Sequence, residues 1–314
     1  MIEILEARAR IAPYVRRTPL IHSHWLSDAA GTRVSIKLES VQVANSFKSR
    51  GAFNAVLARR QRDAGATAIV TASAGNHGRA LAMVAEQFGV ALTVFTPADA
   101  PRTKLDAIRR HGATLRAEGR DYDDAERMAK TSAAETGAAF ISPYSDPDVI
   151  AGAGTVALEI FEDAPDVDTL VVGIGGGGLA SGTGTVARCV NEACRVVGVE
   201  LDVAHAFLTS IRDGRLVEIA AGPSLADGLG GNPDPDTITF AIVQQVVDDI
   251  VTVSEAEIAS GIAGLVAHEH LVAEGAGAVG AAALLAHKIA PLGKHVVIVL
   301  SGGNIDTQRL KTLL

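Results

Sequence analysis

Aromatic residues are scarce, with Phe, Tyr and Trp together at 4% of 314 residues. The core must therefore be built from Ala, Val, Ile and Leu, within a hydrophobic content of 48%. Cysteine is nearly absent: Cys189 and Cys194 are too few for a disulfide framework or a four-thiolate zinc site, which fits a reducing cytoplasm. No run of about 18 apolar residues exists to span a bilayer. The opening segment MIEILEARARIAPYVRR also lacks the long apolar stretch of a secretory signal, so neither a membrane nor export is expected. A basic surplus is missing too. Lys and Arg number 28 against 36 Asp and Glu, a net charge of −8, and this excludes nucleic acid as the main partner because phosphate binding needs a basic face. There is no low-complexity linker, charge block or internal repeat, so no domain boundary is visible as a change of composition.

What is present is a regular alternation of short apolar runs and helical patterns, the mark of parallel sheets with crossover helices. Strands are expected at Ala68 to Thr71, Ala91 to Phe95, Thr114 to Arg116, Ala139 to Ile141, Thr169 to Val172, Val196 to Val199, Ile250 to Val253 and His295 to Leu300. Between them, Arg102 to His111 places Leu105 and Ile108 on one helical face, and Ser254-x-x-Glu257 reads as a capping box. The 32 glycines point to many tight turns and close backbone approaches.

Four short segments carry chemistry. Asn45-Ser46-Phe47-Lys48-Ser49-Arg50-Gly51-Ala52 precedes an apolar helical pattern and puts Lys48 in a first helical turn, where the positive end of the dipole disfavours an ammonium group. Ser73-Ala74-Gly75-Asn76-His77-Gly78 lies between a strand and a helix, where backbone N–H groups converge on one point and suit a carboxylate or phosphate. Gly173-Ile174-Gly175-Gly176-Gly177-Gly178 is a third strand-to-helix turn, and its entropic cost on ordering favours a phosphate that needs close backbone approach. The same turn satisfies G-x-G-x-x-G at Gly173, Gly175 and Gly178, with Glu200 ending the next strand, so a nicotinamide-dependent oxidoreductase rivals it on pattern alone. Last, Val299-Leu300-Ser301-Gly302-Gly303-Asn304 sets a small polar residue at a strand's carboxyl edge. His268-Glu269-His270 puts its two histidines on different helix faces, which argues against a metal site.

Taken in this order, these motifs resemble the serine/threonine dehydratase family, which includes serine racemase, among the pyridoxal phosphate enzymes of the tryptophan synthase β fold type (PLP fold type II). The resemblance runs from Thr18-Pro19-Leu20 to the C-terminus and leaves the nicotinamide reading with no place for the Lys48 motif. It implies an α/β fold of two domains with open, twisted parallel sheets and helices on both faces. A large cofactor-binding domain would comprise 1–67 and 146–314, and a small mobile one 68–145. It implies pyridoxal 5'-phosphate as cofactor, joined to Lys48 as an imine, with Phe47 packed beside the ring and Gly175, Gly176, Gly177 and Gly178 cradling the phosphate. Asn76 would hydrogen-bond the ring hydroxyl and Ser301 would face the pyridine nitrogen. Ser73, Ala74, Gly75, Asn76 and His77 would bind the substrate carboxylate, while Glu274 and the run Ala226-Asp227-Gly228 sit near the cofactor. The implied activity is β-elimination from a β-hydroxy-α-amino acid such as L-threonine or L-serine, giving a 2-oxo acid and ammonia, in a cytoplasmic homodimer.

Departures from the family pattern narrow this expectation. Ala74 stands where racemases carry a second serine, so racemisation should be minor. Glu200 and Ala204 match cation-binding positions of some members but Ala206 does not, so no metal site is expected. Asn45 replaces a common glycine and Tyr144 enters a segment expected to line the cleft; both bear on which β-substituent fits. The chain ends shortly after Ser301, so a C-terminal regulatory domain is not expected. Alternative substrates are 3-hydroxyaspartate, phenylserine or a hydroxyectoine-derived amino acid. A β-replacement enzyme is disfavoured because its usual Ser-Gly-Asn-Thr-Gly and Gly-Thr-Gly-Gly-Thr motifs are absent. A silent cofactor- or amino-acid-binding protein is a further alternative.

Overall fold

A computed structural model describes residues 1–63 and 67–314. Its strands are β1 (Leu20–His22), β2 (Arg33–Leu38), β3 (Ala68–Ala72), β4 (Ala91–Pro97), β5 (Thr114–Gly119), β6 (Ala139–Phe140), β7 (Thr169–Gly173), β8 (Arg195–Leu201), β9 (Asp249–Val253) and β10 (His295–Leu300). They form a six-stranded sheet in the order β1-β2-β10-β7-β8-β9 and a four-stranded sheet in the order β5-β4-β3-β6. Every pairing is parallel except that of β1 with β2.

Both faces of the six-stranded sheet are covered, as parallel sheets require. Successive β10 residues alternate between cores: Val296, Ile298 and Leu300 pack on one side with Val279 and Ile262, whereas Val297 and Val299 pack on the other with Val156 and Leu179. All six residues of β10 are buried, so its continuous apolar run is that of a central strand.

The expected strands are present, but the sequence reading omitted β1 and β2. In β2, Arg33, Ser35 and Lys37 alternate with Val34, Ile36 and Leu38, and Lys37 is fully buried. The helix expected over Arg102 to His111 spans Arg102–Arg109, and the Ser254 box closes in both directions. One apolar cluster joins Ala52, Phe53 and Val56 of the Lys48–Arg62 helix to Ile69, Leu81, Leu92 and Ile108 around the four-stranded sheet. That helix therefore packs against both halves of the molecule. Among the described residues, no helix is long and apolar enough to cross a membrane.

Candidate active site

The carboxyl ends of the parallel strands β7 and β10 carry the glycine turn and Ser301, and β10 positions the candidate nucleophile. Beyond β10, Gly302 forms an isolated bridge with Ser46, and the Phe47 N–H donates to the Ser301 carbonyl at 3.0 Å. The Gly303 N–H donates to the Asn45 carbonyl at 3.0 Å. These bonds hold the turn from which the Lys48 helix starts, with Lys48 as its first residue. Asn45 and Ala44 both have left-handed backbones, with φ of 54° and 55°. Asn45 thus adopts the conformation expected of glycine, and its side chain donates to Asn304 at 3.3 Å.

Lys48 Nζ donates to the Pro143 carbonyl at 2.7 Å and lies 5.0 Å from the Phe47 ring centre. Its pKa is lowered to about 8, principally by burial, while Glu274 across the cleft pulls the other way. The helix dipole invoked from sequence is not the main cause. Burial raises the Glu274 carboxyl to about 7, against which the Asn76 hydrogen bond at 2.5 Å works to lower it. His77 is held neutral down to about pH 3 by burial and by the charge of Lys48. Neither of its ring nitrogens has a hydrogen-bond partner among the described residues. The nearby Ile141 carbonyl instead accepts from Thr71 Oγ1 at 2.7 Å, and the ring is not in bonding geometry to it.

The glycine turn follows β7 and opens the Gly178–Val190 helix. Gly177 has φ 83°, a left-handed conformation, and a Cβ there would lie 2.7 Å from Phe207 Cζ. A Cβ on Gly176 would overlap the Tyr144 ring. Packing by the protein itself therefore accounts for part of the glycine requirement. The N–H groups of Gly175, Gly176 and Gly177 nevertheless donate to no protein acceptor among the described residues, and they stand at a helix N-terminus, the arrangement that binds phosphate. Thr239 Oγ1 fixes the turn by donating to the Gly176 carbonyl at 2.8 Å, and Tyr144 is fixed by accepting the Asp234 N–H at 2.9 Å.

Ser73 Oγ accepts the Gly75 N–H at 3.2 Å, shaping the turn that leads through Ala74 into the Asn76–Phe88 helix. Ser301 Oγ donates to the Ala276 carbonyl at 3.2 Å. Glu200 is not placed to read a ribose: its two oxygens accept the Phe207 and Leu208 N–H groups at 2.9 and 2.7 Å, and burial raises its pKa to about 7. Sequence reasoning missed Arg79 and Thr239 altogether and cited Asn304 only as part of its strand-end motif. It used Arg50 only as a motif letter. Arg50 in fact makes paired hydrogen bonds to both Glu39 and Glu159. A wide surface depression of about 720 Å³, lined by Thr32, Asp168 and Lys294, lies at the opposite, amino ends of the strands and holds none of these groups.

A buried amine near neutrality, an open set of glycine N–H groups and a buried, unpartnered imidazole fit a phosphate-bearing aldehyde cofactor. Comparison with known proteins agrees. The chain is 41% identical to the L-threonine ammonia-lyase of Thermotoga maritima, across 99% of this chain and 77% of that protein. It is 38% identical to the L-threo-3-hydroxyaspartate ammonia-lyase of Saccharomyces cerevisiae, across 99% and 95%. The solved structure of maize serine racemase superimposes with a TM-score of 0.91 at 32% identity, covering 99% of this chain and 95% of that one. Residues 11–302 match the family described as pyridoxal-phosphate dependent enzyme, and with the Lys48 cleft and its glycine turn inside that span, the chain belongs to this family.

Proposed function

We propose that the protein is a hydroxyamino-acid ammonia-lyase, with L-threonine or L-serine as its substrate class. The observation that carries this reading is the Lys48 amine, buried and lowered to about 8, facing the Glu274 carboxyl raised to about 7. Burial moves both groups toward their neutral forms, which brings the amine and the carboxyl closer to the range in which they can exchange protons with a substrate. Pyridoxal phosphate, when bound, supplies an electron-withdrawing ring that makes the substrate's α-hydrogen acidic.

The residues divide the remaining work. Lys48 would hold the cofactor and, as a free amine, would take the substrate's α-proton; its bond to the Pro143 carbonyl orients the nitrogen. Gly175 to Gly178 would hold the phosphate, with the open N–H groups of Gly175, Gly176 and Gly177 toward it and Phe47 beside the ring. Asn76 would donate to the ring oxygen, and Ser301 would offer the ring nitrogen a neutral hydroxyl in place of a carboxylate. The turn Ser73 to His77 binds the substrate carboxylate, placing Ala74 where a second proton carrier would be needed for racemisation. Loss of the β-hydroxyl as water, followed by hydrolysis, yields the 2-oxo acid and ammonia without any oxidant.

The small unit, 68–145, is proposed to close on the unit formed by 1–67 and 146–314, excluding water from the cleft. A homodimer is proposed on the family resemblance alone, and light scattering that reads one chain's mass would remove it.

The test is a turnover panel on the cofactor-loaded protein, scoring ammonia and 2-oxo acid from L-threonine, L-serine, 3-hydroxyaspartate and 3-phenylserine. Threonine or serine as the strongest response supports the proposal. A dominant response to 3-hydroxyaspartate moves the substrate class toward that of the yeast relative, and silence on all four with a bound cofactor overturns the lyase assignment.

A further inference from the structure

A chain of side-chain amides crosses the cleft behind Asn76, and its direction is set at one end by an arginine. Asn304 Oδ1 accepts from Arg79 Nη1 at 2.6 Å and from Asn45 Nδ2 at 3.3 Å. Asn304 Nδ2 donates to the Ala44 carbonyl at 2.9 Å and to Asn76 Oδ1 at 2.7 Å. Asn76 Nδ2 then donates to Glu274 Oε1 at 2.5 Å. A guanidinium has donors and no acceptor, so rotating the Asn304 amide by half a turn would set its NH2 against donors and its oxygen against two acceptors. The Asn304 orientation is thus determined at both ends, and Asn76 inherits it.

We propose that Arg79 and Asn304 are positioning residues, a polarised relay that keeps the Asn76 amide with its NH2, and not its carbonyl, toward the Lys48–Glu274 cleft. The inference rests on the reading of Asn76 as donor to the cofactor's ring oxygen. An NH2 at that place stabilises the oxygen as an anion, whereas a carbonyl would stabilise it as a hydroxyl. The relay also ties orientation to closure. Asn76 and Arg79 lie on the Asn76–Phe88 helix of the smaller unit, whereas Asn45, Glu274 and Asn304 belong to the larger, so Asn76 is oriented only while the two are together. A surface arginine would be free of such a duty; Arg79 is half-buried, and desolvation together with the neighbouring Arg110 lowers its pKa.

The test compares three variants as cofactor-loaded protein. Asn304→Asp presents only acceptors, so the Asn76 amide must turn its NH2 toward residue 304 and its carbonyl toward the cleft. Arg79→Met removes the anchor while keeping the stem, and Arg79→Lys restores a donor. The readout is the ratio of visible to near-ultraviolet absorbance of the bound cofactor, which reports whether the ring oxygen is anionic or protonated, measured beside cofactor occupancy. We expect the ratio to fall about tenfold in Asn304→Asp and about threefold in Arg79→Met, the scale of one charge-assisted hydrogen bond, with Arg79→Lys within about twofold of the parent. A purely structural role would lower occupancy or melting temperature and leave the ratio alone. An unchanged ratio at full occupancy in both Arg79→Met and Asn304→Asp overturns the relay. Absence of any cofactor absorbance in the parent protein instead overturns the underlying site reading, and the relay with it.

Discussion

Two charged clusters sit within two residues of each other on the Lys48 helix, and they have opposite characters. Arg50 is fully buried, yet each of its neighbours answers it: Glu39 and Glu159 each take two of its hydrogen bonds, Lys37 adds a bond to Glu159 at 2.6 Å, and Thr18 adds one to Glu39 at 2.6 Å. The two positive and two negative charges balance, and the hydrogen bonds of Arg50 and Lys37 hold Glu159 below its ordinary pKa. Lys48, His77 and Glu274 receive far fewer partners, and burial drives each of them toward its neutral form. Depth alone does not separate structural charge from reactive charge. Pairing does so for Arg50 and Glu159, which are shifted toward their charged forms, whereas Lys37 in the same cluster is still lowered by burial against the pull of Glu159.

The contrast is broken most severely at its two centres. Arg50→Met leaves the two buried carboxylates Glu39 and Glu159 with Lys37 as their one cation and should cost roughly 3–5 kcal/mol, read by urea unfolding of the apoprotein. Lys48→Ala should do the reverse, removing turnover by at least about a thousandfold and the cofactor's visible band with it, while the melting temperature stays near the parent's. If Lys48→Ala retains turnover, the site assignment falls; if Arg50→Met melts like the parent, the balanced network contributes little.

A smaller effect is expected at Gly176. Gly176→Ala drives a methyl group into the Tyr144 ring and should destabilise by about 1–3 kcal/mol, whereas the same glycine change should cost much less in a Tyr144→Ala background, where the ring is already gone. Equal stability of Gly176→Ala and the parent in thermal melts would show that the ring moves freely.

Glu274 sharpens the comparison through pH. Its folded pKa, about 7, is above the ordinary 4.5, so the folded state binds the proton more tightly than the unfolded one. The associated stability is present below pH 4.5 and is lost as pH rises toward 7. In melts of the apoprotein, Glu274→Gln should therefore lose less stability than the parent between pH 5 and 7.5, and parallel curves would count against the buried, unpaired carboxyl. The smallest effect concerns Glu200, whose oxygens are already taken by two helix N–H groups: chelator treatment should change turnover by less than about twofold, and a larger loss would reveal a cation site.

Local pattern made most of this site legible. The turns at Ser73, Gly175 and Ser301 lie at strand ends where short apolar runs announced them, and Lys48 opens its helix as its spacing requires. The unread parts depend on distant partners. Nothing near Lys37 in the sequence announces its partner Glu159, and the Arg79 to Asn304 bond likewise joins residues with no periodic relation. The lowered pKa of Lys48 was foreseen for the wrong cause, because a helix terminus is visible in sequence and burial within a folded cleft is not.

The pairing of β2 with β10 has a further consequence in time. Residues 33–38 find their parallel neighbour only in residues 295–300, and the turn that carries Lys48 hangs from the same late strand. During synthesis the reactive lysine leaves the ribosome early but cannot be seated until nearly the whole chain has followed. Until that strand is in place the Lys48 amine lacks the burial that lowers its pKa, and an amine surrounded by water is an ordinary ammonium ion.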